Sequence, residues 1–349
     1  MPAGAAIIAA GGLHGASQVG YRRPWWLPGA HLQTILPALA TPLARQTYAR
    51  ERWASSGADG AADGDFVDID WLADANGKPL WNPQKPLVVL FHGLEGSSQS
   101  HYAKALMGAL RARGWNGCVP HFRGCSGELN HLPRAYHSGD SMEIDWILRR
   151  IVASRAPHGM YAVGISLGGN ALAKWAGERG ASAAATLRAL AAISAPLDLA
   201  AAGTALGQGF NLIYTRMFLD TLKRKSLAKL ARFPGIFDAD RVRAARDLFE
   251  FDNLVTAPLH GFRDTHDYWS RASAKPWLAG IGIPALVLNA INDPFLPASA
   301  LPLASDVSCC VTLEQPRHGG HVGFAGGALP PGHLDWLPQR LLNYFDAHP

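Results

Sequence analysis

Short, unbroken apolar runs alternate along this chain with longer stretches in which apolar residues recur at helical spacing. Pro86-Leu87-Val88-Val89-Leu90-Phe91 is such a run, and it ends in His92-Gly93. Apolar character without alternation predicts a strand buried on both faces, as in a parallel sheet. The segments from Trp115 to Pro120, Met160 to Gly164, Leu187 to Ile193, Ile283 to Asn289 and Cys309 to Leu313 read the same way. Phe66-Val67-Asp68-Ile69-Asp70-Trp71 largely alternates apolar and acidic residues, which predicts a strand with one wet face near a sheet edge. Residues 53–63 are small and polar and read as a loop. Helical spacing predicts helices over about Tyr102 to Arg113, Asp140 to Ala153 with Ser138 as cap, Ser166 to Ala176, and Leu337 to Phe345. Strands and helices alternating in this order specify an α/β fold with a mostly parallel central sheet flanked by helices.

One stretch breaks the alternation. Residues 200–275 are mainly helical in pattern and separate two strands that a short crossover would otherwise join. They read as an inserted helical lid over the strand ends, where open α/β sheets bind ligands. The core then comprises residues 21–199 and 276–349, and residues 1–20 read as a flexible lead-in.

Composition narrows the field. The 349 residues are 48% hydrophobic and 17% charged, which fits a globular protein with a sizeable core. The formal net charge is +5 and the basic residues are scattered. Their densest cluster, Lys223-Arg224-Lys225 with Lys229 and Arg232, reads as a solvated helix face. No basic stripe with interleaved aromatics points to nucleic acid. No apolar window is long enough for an integral membrane segment, although Trp25-Trp26 and the lid allow peripheral contact. The N-terminal run lacks a basic start, and no pair of the four cysteines has CxxC spacing. A cytoplasmic protein is the expectation.

The chemistry sits at the ends of the predicted strands. Gly164-Ile165-Ser166-Leu167-Gly168 matches G-x-S-x-G between a buried strand and a helix, the context that motif needs. The tight turn lifts the Ser166 hydroxyl clear of the sheet. That hydroxyl needs a base to attack a carbonyl. His318-Gly319-Gly320-His321 follows the last strand, and His321 is the candidate, since the glycines before it let the loop approach the serine. Histidines three apart with no further ligand pair make a weak metal site, and His333 reads as a surface-loop residue. An acid must fix the histidine's tautomer. Asp293 follows a strand and gives the chain order Ser166, Asp293, His321; Asp198 is the rival. The oxyanion of the tetrahedral intermediate needs backbone N–H donors, for which Leu167, after the nucleophile, and Leu94, in the turn after Phe91, are the candidates. His92 reads as a support of that turn. Arg123-Gly124 and Tyr136-His137-Ser138-Gly139-Asp140 read as a hydrogen-bonded scaffold, and His260, Asp264, His266 and Asp267 as a surface or hinge network.

Several stretches resemble the YheT-like group of α/β-hydrolases. They are His31-Leu32-Gln33-Thr34-Ile35-Leu36-Pro37, Phe91-His92-Gly93-Leu94-Glu95-Gly96-Ser97, His121-Phe122-Arg123-Gly124-Cys125-Ser126-Gly127-Glu128 and Tyr136-His137-Ser138-Gly139-Asp140. They continue with Ser166-Leu167-Gly168-Gly169-Asn170, Asn292-Asp293-Pro294-Phe295 and His318-Gly319-Gly320-His321-Val322-Gly323-Phe324. The resemblance implies the α/β-hydrolase fold, Ser166, Asp293 and His321 as a catalytic triad, and a serine esterase acting on small-molecule or lipid-like acyl esters without cofactor or metal. A thioesterase or amidase would use the same residues, and a silent ligand-binding member would keep the same fold. Ile165 stands where the group commonly has an aromatic residue, and Asn292 where it commonly has an acidic one.

Overall fold

The unbroken apolar runs become the middle of one sheet. A computed structural model describes residues 20–56 and 62–349. All but Gly20 of the expected lead-in over 1–20, and the middle of the expected loop over 53–63, lie outside these residues. Helix α1 (Ala30–Leu39) comes first, then β1 (Tyr48–Ser56), β2 (Ala62–Leu72) and β3 (Leu87–Phe91). Helix α2 (His101–Arg113), β4 (Asn116–Pro120), α3 (Ser141–Arg155), β5 (Met160–Ile165), α4 (Leu167–Arg179) and β6 (Ala189–Ile193) follow. After β6 the chain runs through α5 (Leu199–Leu206), α6 (Leu212–Arg232), α7 (Ala239–Ala244) and α8 (Leu248–Phe251). A π-helical turn over Asp252–Thr256, α9 (Ala257–Leu259) and α10 (Thr265–Ala272) lead to β7 (Ala285–Leu288), β8 (Val311–Glu314) and α11 (Trp336–Asp346).

The strands form an eight-stranded sheet in the order β1-β2-β4-β3-β5-β6-β7-β8. From β4 to β8 all neighbours are parallel, while β1 and β2 add an antiparallel edge. This is the expected mostly parallel α/β architecture. Apolar side chains leave the central strands on both faces. Val88, Leu90, Val163 and Ile193 meet α2 and α11, while Val89, Phe91 and Leu190 pack with α3 and α4. Gly114 in the left-handed region closes α2, a conformation that glycine adopts without strain.

Three expectations need correction. Residues 53–56 are not loop but the end of β1, where Trp53 pairs with Val67 and is buried. The acidic face of β2 is not wet. Asp68 and Asp70 are buried opposite Arg52 and Arg50 on β1, which pair with them at 2.8 and 2.7 Å. An added strand supplied the countercharges that alternation alone assigned to solvent. The cap of α3 is Asp140, whose carboxylate accepts the Glu143 N–H, rather than Ser138.

Candidate active site

Ser166 follows β5 and caps α4 at φ 52°, ψ −119°. A non-glycine residue held there is strained, and such strain gathers at functional sites. The surrounding chain enforces it. The Ser166 N–H donates to the Ile193 carbonyl at 2.8 Å. A Cβ on Gly168 would lie 2.5 Å from the Phe91 carbonyl oxygen, so only glycine lets α4 start this close to β3.

Asp293 and His321 arrive from the loops after β7 and β8. The His321 Nδ1–H lies 2.9 Å from Asp293 Oδ2, and the carboxylate is fully buried. Asp293 Oδ1 also accepts the Phe295 N–H at 2.8 Å, so the acid caps its own turn as well as facing the histidine. The Phe295 ring stacks on His321 with centroids 4.1 Å apart. His318 does not bond Asp293. The rival acid Asp198 caps α5 through the Ala201 N–H instead. Ser166 and His321 line the same cavity. No hydrogen bond joins them in this structure, and catalytic hydrogen bonds often tighten only when substrate binds.

Two backbone amides in that cavity are free. The Gly93 N–H donates to the Tyr102 hydroxyl and the Glu95 N–H to the Tyr136 hydroxyl, both at 2.9 Å. Leu94, between them, has an N–H without a partner among the described residues, as does Leu167 at the start of α4. Both residues line the same cavity as Ser166. His92 supports this turn. It is fully buried, its Nδ1 lies 2.8 Å from the Gly93 carbonyl, and its Nε2 accepts the Phe122 N–H. Burial pushes it down to about 3, so it stays neutral.

The structure adds residues with no role assigned from the sequence. The Thr34 hydroxyl accepts the His321 N–H at 2.9 Å. The Gln33 side chain accepts the Gly319 N–H at 2.8 Å and the Asn292 amide at 3.0 Å, while donating to the Leu27 carbonyl. Asn292 in turn accepts the Gly320 N–H. Helix α1 therefore clamps the histidine loop. A Cβ on Gly323 would strike the Gln33 carbonyl, which shows how close the two segments lie. The only available signal was the His31-to-Pro37 motif, far away in sequence. His101, also lining the cavity, donates through Nε2 to the Val322 carbonyl, and burial pushes it down to about 4.

The cavity encloses about 500 Å³. Its walls include Leu94, Ile165 and Leu167 from the core and Leu206, Tyr214, Phe218 and Phe251 from the helices between β6 and β7. Those helices are tied down by residues expected on a solvated face. Lys225 pairs with Glu95 at 2.7 Å, and the buried Lys229 donates to the carbonyls of Leu132, Pro133 and Arg134. Lys223 bonds the Arg243 and Ala245 carbonyls. The basic cluster is thus mainly a set of anchors, because one side of α6 lies on the core. Arg123 bridges Asp65 and Glu143, and Arg134 bonds Asp140, as the scaffold reading expected. Asp264 caps α10 through the Asp267 N–H and His266 is exposed, as a surface network would have it, but His260 turns inward, its ring tilted at 52° to that of His137 with centroids 4.5 Å apart. Among the described residues no three His, Cys, Asp or Glu side chains are grouped as a metal site requires, and no helix is long and apolar enough to cross a membrane.

The α/β-hydrolase fold model matches residues 86–328, most of the chain. This chain belongs to the α/β-hydrolase family. Among similar proteins, "Putative esterase YheT" of Escherichia coli (strain K12) is 38% identical over 320 residues, covering 91% of this chain and 90% of its own. "Phospholipase ABHD3" of Bos taurus is 29% identical over 272 residues, covering 77% of this chain and 66% of its own. A solved structure of Est1E from Butyrivibrio proteoclasticus with ferulic acid superposes with a TM-score of 0.53 at 14% identity. It covers 82% of this chain and 96% of its own, and speaks for the shared fold. The resemblance to the YheT-like group of α/β-hydrolases is thereby established.

Proposed function

We propose that this α/β-hydrolase cleaves carboxylic esters by acyl transfer from Ser166 to water. The observation that carries the reading is the convergence of four features on one cavity. These are a serine on a strained elbow, an Asp293–His321 pair, and the unpaired Leu94 and Leu167 N–H groups. In this reading His321 takes the Ser166 proton as the hydroxyl attacks the ester carbonyl. Asp293 fixes the tautomer and stabilises the imidazolium. The two N–H groups receive the negative oxygen of the tetrahedral intermediate. His321 then protonates the leaving alcohol, and the acyl group stays on Ser166 until water, deprotonated by His321, releases the acid. The helices between β6 and β7 act as the lid, and their apolar side chains favour short- to medium-chain or lipid-like acyl groups. A volume near 500 Å³ falls in the usual range for small-molecule pockets.

The test is p-nitrophenyl butyrate hydrolysis by the wild type and by Ser166→Ala, with fluorophosphonate labelling alongside. The wild type should turn over and take the label, and the variant should lose about a thousandfold or more in kcat. Equal activity in both would remove Ser166 from the mechanism. A wild type that neither turns over nor labels would favour a silent binding protein.

A second reading, esters drawn from a lipid surface, is favoured by the cavity's rim. Leu39, Ile213 and Met217 line the cavity yet are 79%, 45% and 64% exposed. The likeness to a phospholipase fits this reading. Flotation with phosphatidylcholine vesicles should carry the protein upward, and Met217→Glu should weaken that; protein left at the bottom would exclude it.

A further inference from the structure

The cavity is not apolar throughout. Away from the rim it is walled by the π-helical turn, whose end residues Asp252 and Thr256 both line it, with Tyr268, Trp269 and His137 beside them. π-Helical turns are rare and are concentrated at functional sites. The Asp252 carboxyl accepts the Thr256 hydroxyl at 2.6 Å and the Trp269 indole N–H at 2.8 Å. Both partners are neutral. No Lys, Arg or His pairs with Asp252 among the described residues, whereas Glu95, in the turn after β3, has Lys225. Burial pushes Asp252 up to about 6 against those two hydrogen bonds.

This arrangement is costly for a merely structural acceptor. An amide or a backbone carbonyl would satisfy the indole and the hydroxyl without placing an uncompensated charge in a low-dielectric wall. A carboxylate offers about four acceptor positions, and the protein fills two of them. The rest has no partner among the described residues, and Asp252 lines the cavity. The Tyr268 hydroxyl nearby accepts the Ser138 N–H and so keeps its own proton for another acceptor.

We propose that Asp252 is a second recognition point of this site, which accepts from an O–H or N–H group carried by the substrate away from its scissile ester, with Tyr268 donating back to the oxygen where that group is a hydroxyl. The preferred ester is therefore not a plain hydrocarbon ester. It is apolar along most of its length and bears a hydroxyl or amine that reaches the π-turn. This inference rests on the ester-hydrolase reading and narrows its substrate class. Asp252 takes no part in the bond-breaking steps.

The experiment compares matched esters in two series, because the donor can sit on either side of the ester bond. One series is p-nitrophenyl esters of C6 to C12 acids ending in methyl, hydroxyl or ammonium. The other is butyrate esters of C4 to C10 alcohols with the same three ends. The readout is the ratio of kcat/KM for donor-ended over methyl-ended members within each variant, which is independent of overall rate. The wild type should favour the donor-ended ester by about tenfold or more at one chain length, since a site built around a polar group discriminates against analogues that lack it. Asp252→Leu should bring that ratio to about one. A hydroxyl preference that survives Asp252→Asn identifies a neutral donor, and an ammonium preference lost in Asp252→Asn identifies a cation; both support the proposal. Ratios near one in every wild-type pair, or a preference unaltered in Asp252→Leu, overturn it. Calorimetric titration of Ser166→Ala with the same esters reads binding without turnover. If the wild type hydrolyses none of the esters while Ser166→Ala still binds the donor-ended ones more tightly, the ester-hydrolase reading fails and the recognition point stands. Equal binding of all members there overturns the recognition point.

Discussion

Gln33 and Thr34 hold the backbone of the His321 loop from outside it, through the Gly319 and His321 N–H groups, while Asp293 holds the ring. Removing them should therefore act on turnover more than on substrate affinity. Gln33→Leu leaves the Gly319 N–H unpaired and frees Asn292. We expect kcat for p-nitrophenyl butyrate to fall about tenfold to a hundredfold with KM little changed, because small misplacements of a catalytic group cost that much. A proportional rise in KM with kcat intact would show that the clamp shapes the pocket instead. At this scale the sequence is most informative where chemistry is local. The proposed nucleophile Ser166 is marked by its glycines, and the proposed partners Asp293 and His321 by their places after strands. Gln33 does not, because its partner Gly319 is 286 residues away and nothing in its neighbourhood marks a side chain aimed at a distant loop. Asp252 is equally silent in the sequence, since a π-turn has no pattern of its own.

At the scale of elements, apolar strands and their following helices are legible because burial on both faces leaves a continuous signature. Charged segments are less so. The acidic residues of β2 and the lysines of α6 look solvated until the elements that cover them are known. Lys229 is the clearest case. Its ammonium serves the Leu132, Pro133 and Arg134 carbonyls, and burial pushes it down to about 8. Lys229→Met keeps the aliphatic length and strands those acceptors. Urea denaturation should show a loss of about 2 kcal/mol or more, with Lys229→Arg retaining part of it. An unchanged midpoint for Lys229→Met would mean that water replaces the ammonium at no cost and that α6 is held by apolar packing alone.

Across the whole molecule, several histidines are kept neutral by burial. His92 and His260 are pushed down to about 3 and His101 to about 4. The unfolded chain binds these protons near pH 6.5 and the folded one far lower, so the stabilisation is complete above about pH 6.5 and is lost as pH falls from there, toward about 4 for His101 and about 3 for the other two. Each such group contributes a slope of about 1.4 kcal/mol per pH unit inside its window. Below about pH 4 the carboxylates of Asp65, Asp68 and Asp70 add to the loss. Burial opposes their ionisation, but their arginine, histidine and amide partners outweigh it and hold them low. Thermal melts should therefore show a transition temperature that is lower at pH 5 than at pH 7.5. A flat profile between these values would mean the three histidines take up protons in the folded state.

The contact between α1 and the histidine loop also bears on when the molecule becomes able to work. The β5 strand and the serine elbow leave the ribosome while the loop carrying His321 has yet to be made. Domains fold as units during synthesis, and distant contacts form last. A nascent chain halted before residue 318 can shelter its serine but cannot seat a base against Gln33 and Thr34. Ribosome-arrested chains of increasing length should then stay silent toward ester until the loop clears the exit tunnel. Reactivity would arrive in a single step, once the loop carrying the proposed base is free of the tunnel.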